Sequence, residues 1–189
     1  MKIMVLDNYD SFTYNLVHIL KELTGGPVAV FRNDEISLYD AERFDKIIIS
    51  PGPGVPDQAG ITKKLIAHFA PSKSILGVCL GCQAIAEVFG GSLTNLDKVY
   101  HGVKTEIIVT DKDDKLFNDV PAKFEAGRYH SWVVNKKDLP SSLRITALDD
   151  EGMIMALSHV EYDVKGVQFH PESVMTEYGK KILLNWLEI

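Results

Sequence analysis

An apolar run, Ser74-Ile75-Leu76, passes straight into Gly77-Val78-Cys79-Leu80-Gly81 and then into an amphipathic segment. A buried strand that enters Gly-x-Cys-x-Gly and leaves as a helix predicts a sharp, strained turn, permitted by the glycines. The middle side chain is then held up at the strand's carboxyl edge. The thiol of Cys79 faces a helix N-terminus there, whose partial positive charge favours thiolate over thiol. Far along the chain a second apolar strand, Gly166-Val167-Gln168-Phe169, runs into His170-Pro171-Glu172. That is a base followed closely by a carboxylate able to fix its tautomer. Nucleophile, base and orienting carboxylate all fall at strand ends, where an open α/β sheet places its active site.

The rest of the chain predicts the sheet that such ends require. Lys2-Ile3-Met4-Val5-Leu6 reads as a strand, and Ser11 is expected to cap a helix through about Leu23, with Leu16, Ile19, Leu20 and Leu23 at core spacing. Thr24-Gly25-Gly26-Pro27 ends it. Val28 to Phe31 and Lys46 to Ile49 read as strands, Gln58 to Phe69 as a helix with Ile61, Leu65 and Ile66 inward, and about Gly81 to Phe89 as the helix after the elbow. From Ser92 onward the texture changes to short β segments, His101 to Val109, Lys123 to Tyr129, Leu143 to Leu148 and Met153 to Ser158. Val164 to Phe169 then returns to the sheet before a last helix from about Glu177 to Leu187. The expectation is one α/β domain over residues 1–189, a flavodoxin-like, doubly wound, mostly parallel sheet with helices on both faces. A smaller antiparallel β portion is expected in the C-terminal half.

Composition narrows the partners. The formal net charge is −6 with no block of Lys and Arg, which argues against nucleic acid. The apolar runs are strand-length, which argues against a membrane span. The chain opens directly on its first strand, so the expectation is no signal peptide and a cytoplasmic location. The two cysteines, Cys79 and Cys82, form Cys-x-x-Cys, and a thioredoxin-type dithiol has to be weighed. The glycines flanking Cys79 belong to an elbow, however, and a dithiol leaves His170 and Glu172 without a role. A zinc site lacks a second Cys pair or a His cluster.

Two loops carry further chemistry. Ser50-Pro51-Gly52-Pro53-Gly54 follows the third strand; it is either a plain turn or a stiff loop whose glycine N–H forms part of an oxyanion hole. Arg128-Tyr129-His130-Ser131-Trp132 is either an edge-strand bend or a holder for the amino-acid end of a substrate. His18 and His68 read as surface or packing histidines, and His101 and His159 show no partner in sequence. Only His130 has a place at the site rim. Asn8, Tyr9, Asp10 and Ser11 border the same sheet edge and are expected to face a partner subunit or help couple the sites.

Taken together, Pro51-Gly52-Pro53-Gly54, Gly77-Val78-Cys79-Leu80-Gly81-Cys82-Gln83 and His170-Pro171-Glu172-Ser173 resemble a class I glutamine amidotransferase domain along essentially the whole chain. Asp7 to Leu16 is similar to the opening of the glutaminase subunits that serve chorismate-utilising synthases. One departure is Cys82, where the family more often has His or Met. The resemblance implies that Cys79 attacks the side-chain amide of L-glutamine to form a thioester, with His170 as base and acid and Glu172 holding the imidazole. It also implies oxyanion donors at Gly52 and Leu80, a substrate site that includes Pro53, Gly54, Gln83, Ser131 and Trp132, and no cofactor or metal in this chain. The implied partner is a chorismate-utilising synthase subunit, expected to use Mg, making anthranilate for tryptophan or, alternatively, aminodeoxychorismate for folate. Two other classes stand beside this reading. A free-standing cysteine hydrolase would turn over without a partner, and a nucleotide- or flavin-binding module lacks any Gly-x-Gly-x-x-Gly loop.

Overall fold

The computed structural model describes residues 1–189. Five strands run parallel in the order β2-β1-β3-β4-β11: β1 is Ile3–Asp7, β2 Val28–Arg32, β3 Lys46–Ile49, β4 Ser74–Val78 and β11 Val164–Val167. Their side chains alternate between two cores. Ile3 and Val5 of β1 pack toward α1 (Thr13–Thr24) and α5 (Gly179–Glu188), whereas Met4 and Leu6 pack toward α2 (Leu38–Ala41), α3 (Thr62–Phe69) and α4 (Leu80–Val88). Burial on both faces is why these strands read as continuous apolar runs.

The antiparallel portion is not separate from this sheet. It continues it beyond β11 as β10 (Ile154–His159), β9 (Leu143–Asp149), β6 (Val103–Val109) and β7 (Lys123–Arg128), giving nine strands in all. A two-stranded sheet pairs β5 (Leu93–Asn95) with β8 (Trp132–Val134), register Asn95 to Trp132. These two short strands and α2 lie in stretches without a clear periodic pattern. No helix is long and apolar enough to cross a membrane.

Two helix starts differ from expectation. Ser11 does not cap α1, which begins at Thr13. Instead Asp10 Oδ2 accepts from Phe12 N at 2.7 Å, and Asp7 Oδ1 accepts from Asp10 N and Thr13 Oγ1. No side chain caps the helix: these bonds order the turn before it, and Thr13 N and Asn15 N go to the backbone oxygens of Asp10 and Phe12. α3 begins at Thr62 rather than Gln58, because Pro56–Gln58 forms a separate 3₁₀ turn and Ile61 N is drawn to Asn33 O at 3.0 Å. Gly25 closes α1 in the left-handed conformation, as the sequence predicts.

Candidate active site

Because β1, β3, β4 and β11 are parallel, the residues that follow them share one edge: Asn8, the Ser50–Gly54 loop, Cys79 and the Gln168–Glu172 segment. The elbow is as tight as the sequence implies. Cys79 adopts φ 52° and ψ −102°, a left-handed backbone for a residue with a Cβ. A Cβ on Gly77 would lie 2.4 Å from the backbone of Gly81, so strand and helix meet at a distance only glycine allows. Cys79 is the N-cap of α4, and the residue is 6% exposed.

His170 is buried and its Nδ1 lies 2.7 Å from Glu172 Oε1, also buried. That bond leaves Nε2 free of any other hydrogen-bond partner. Burial by itself lowers the imidazole's affinity for a proton, but Cys79 and then Glu172 outweigh it and raise His170 to about 10. His170 therefore carries a proton at neutral pH beside the sulfur. Phe12 and Tyr129 pack on its ring, with centroids 5.8 and 4.9 Å away, and help to exclude water.

Cys82 is fully buried beneath β11, where a Cβ on Gly166 would touch its sulfur at 2.8 Å, and burial pushes its thiol well up. A dithiol partner needs access that Cys82 does not have. The unusual cysteine is a packing residue of the helix–sheet contact.

A cleft of about 200 Å³ opens over the thiol. It is lined by Gly52, Pro53, Gly54, Cys79, Leu80, Gln83, Ser131 and Trp132, the residues expected from sequence apart from the His170–Glu172 pair behind the sulfur. The amide of Leu80 opens α4 and has no intrahelical acceptor, and Gly52 N makes no hydrogen bond within the chain. Both orphan donors border the cleft. Gln83 gives both hydrogens of Nε2 away, to Trp132 O at 2.8 Å and Gln168 Oε1 at 3.2 Å, so only its Oε1 remains for a ligand.

The cleft also takes in Val99, Tyr100, His101, Tyr129 and His130. His130 was expected at the rim; His101 was not. Its route there is the turn before β6, which no local pattern marks. Burial and then the Arg128 charge lower His130 to about 3, so it is a neutral imidazole. Asn8 does not face outward. It is 3% exposed and pins the loop base, donating from Nδ2 to Ser50 O and accepting at Oδ1 from Asn33 and Thr62. Asp10 is part-buried in the turn before α1, accepting from Phe12 N, and burial raises its carboxyl. Tyr9 and Ser11 are exposed.

A thiol on a strained elbow, a paired imidazole beside it and two spare amides bordering the same cleft suit acyl transfer on a doubly wound sheet. The family described as "Glutamine amidotransferase class-I" matches residues 4–189, and the chain belongs to it. The chain is 47% identical to "Aminodeoxychorismate/anthranilate synthase component 2" of Bacillus subtilis, over 98% of this chain and 95% of that one. It is 46% identical to the "Bifunctional protein TrpGD" of Thermotoga maritima over all of this chain, which spans 32% of that longer protein. A crystal structure of a glutamine amidotransferase from Thermotoga maritima superposes with a TM-score of 0.82 at 15% identity, covering 100% of this chain and 96% of that one; this likeness shows the fold.

Proposed function

We propose that this chain hydrolyses L-glutamine at Cys79 and supplies the ammonia to a chorismate-utilising synthase subunit that forms anthranilate. The observation that carries the reading is the meeting of Cys79, His170 and Glu172 behind a cleft bordered by two unpartnered backbone N–H groups. The thiolate attacks the side-chain amide carbon, and the Gly52 and Leu80 amides stabilise the oxyanion. Protonated His170 gives its proton to the nitrogen, the C–N bond breaks, and ammonia leaves a glutamyl thioester. Water then adds with His170 taking its proton, the C–S bond breaks, and glutamate departs. Gln83 Oε1, an acceptor, suits the α-ammonium group of the substrate, and the backbone of Ser131 and Trp132 suits its carboxylate. These steps draw only on water and this chain's own groups.

Free ammonia is lost by protonation near neutral pH, so the product is useful only when a second active site receives it through a sheltered path. Val99, which lines the cleft, is 67% exposed, and Tyr9 and Val174, on the segments that follow β1 and β11, are also exposed, a surface suited to an apolar partner. Service to an aminodeoxychorismate-forming synthase is the second reading, supported by the Bacillus relative's name, which carries both products. A cytoplasmic location fits either.

The deciding experiment is steady-state glutamine hydrolysis by the chain alone, and with a chorismate-utilising synthase subunit from the same source plus chorismate. The expected rise is about tenfold or more, about 1.4 kcal/mol in barrier. Identification of the aromatic product then separates the two branches. Equal kcat/KM with and without the partner marks a free-standing hydrolase and rejects the subunit reading.

A further inference from the structure

Cys79 has a polar neighbour that no motif pointed to. Gln168 lies just past β11, is fully buried, and places Nε2 3.5 Å from Cys79 Sγ. Its Oε1 accepts from Gln83 Nε2 at 3.2 Å, and that same nitrogen donates to Trp132 O at 2.8 Å.

The polarity of this chain of bonds has only one solution. A carbonyl oxygen can only accept, so Gln83 must turn its NH₂ group toward Trp132 O. The second hydrogen of that group then requires an acceptor at Gln168, which leaves the Gln168 NH₂ group facing sulfur. Flipping the Gln168 amide would set donor against donor at Gln83 and a carbonyl oxygen against the sulfur.

The fixed end lies deeper still. Trp132 O takes a second hydrogen bond, at 3.0 Å, from His130 Nδ1. His130 Nε2 must be an acceptor there, because Arg128 Nε donates to it at 3.0 Å, and a neutral ring then carries its hydrogen on Nδ1. Arg128 cannot turn away. It is wholly buried, paired to Asp149 at 2.7 Å, and its guanidinium sits 3.7 Å over the Tyr100 ring.

We propose that Gln168 is a working part of the site: its amide donates to the thiolate of Cys79 and sets the direction of the sulfur, with that amide oriented by Trp132 O through Gln83 and Trp132 O held in place by His130 and Arg128. An N–H aimed at a buried sulfur gains most when the sulfur is charged, so the contact favours the thiolate state and holds it in place for attack. The geometry also explains why the Gln83 nitrogen is withheld from the cleft. The inference rests on Cys79 being the nucleophile.

The test compares Gln168→Met, which keeps volume and removes the amide, with Gln168→Glu, which keeps an acceptor for Gln83 and removes the donor. In the full-length chain, the rate of Cys79 alkylation by iodoacetamide is followed across pH, with the label placed by peptide mass. Both variants are expected to alkylate about tenfold more slowly or worse near neutral pH, with the inflection moved to higher pH, the scale of one hydrogen bond to a charged group. The kcat for glutamate release should fall alongside, with KM nearly unchanged. If Gln168→Met fails to fold, Gln168→Glu decides, because it retains the bond to Gln83. A folded variant whose alkylation profile and kcat match the wild type overturns the role of Gln168 alone. Wild-type glutamate release that survives complete labelling of Cys79 overturns the proposed function, and this inference with it.

Discussion

Gly52 rests directly on Asn8: a Cβ added at Gly52 would lie 2.6 Å from Asn8 Cβ and 2.7 Å from its backbone oxygen. The loop carrying one expected oxyanion donor is thus seated on the loop after β1, and Asn8 is itself held by Ser50, Asn33 and Thr62. Gly52→Ala must lift the loop off this seat and move its N–H. Glutamine-dependent turnover should fall about 10²- to 10³-fold, as when one oxyanion donor is removed. Synthesis by the assembled complex from added ammonium should be unaffected. Glutamine turnover within a few-fold of wild type would show that the Gly52 amide plays no part.

The two cysteines should separate cleanly. Cys79→Ser is expected to abolish glutamine-dependent activity while the complex still uses ammonium. Cys82→Ser should keep most activity but lower the melting temperature, because a hydroxyl replaces a fully buried thiol, a burial cost of about 1–3 kcal/mol. Equal loss of activity in the two variants would restore a dithiol mechanism.

His170 is expected to set the alkaline limit. Its raised value, about 10, keeps the proton for departing ammonia through neutrality, and activity should fall as pH rises toward that value. Glu172→Gln removes one of the partners that raise it, so the alkaline limb should move to lower pH. The stability that this raised proton affinity adds, from Cys79 first and Glu172 second, is present below 6.5, the ordinary value, and is lost as pH rises through about 10. A pH–rate profile of Glu172→Gln superposable on wild type would remove the carboxylate from this role.

His130 acts with the opposite sign. Its folded value is depressed from 6.5 to about 3, so the unfolded chain takes up a proton first. The neutral ring's stability is intact above 6.5 and is lost as pH falls toward 3, by at most about 1.4 kcal/mol per pH unit. Denaturant unfolding from pH 7 down to pH 4 should show a shallower acid decline for His130→Asn than for the wild type. Equal slopes would mean that His130 does not titrate out of step with the unfolded chain.

The sequence by itself determined the parts whose causes are local. Ile75 and Leu76 before Gly77 and Gly81 specify a buried strand and a sharp turn, and that turn places Cys79 at a sheet edge. His170 and Glu172 are near enough in sequence to pair without help from the rest of the chain. The tertiary structure decided what depends on contacts between distant segments. Gln168 reads in sequence as one more strand-end residue, and its meaning comes from Gln83 on α4, Trp132 on β8, Arg128 on β7 and His130 in the loop between those two strands. Ser11 looks like a cap until Asp7 and Asp10 order the turn before α1 and the helix starts at Thr13 with no side-chain cap. The antiparallel strands read as short β segments on their own, but joining β10 to β11 in one sheet is a long-range pairing. Periodicity and turn chemistry are written along the chain, whereas the direction of a buried hydrogen bond is fixed only when its donor and acceptor meet.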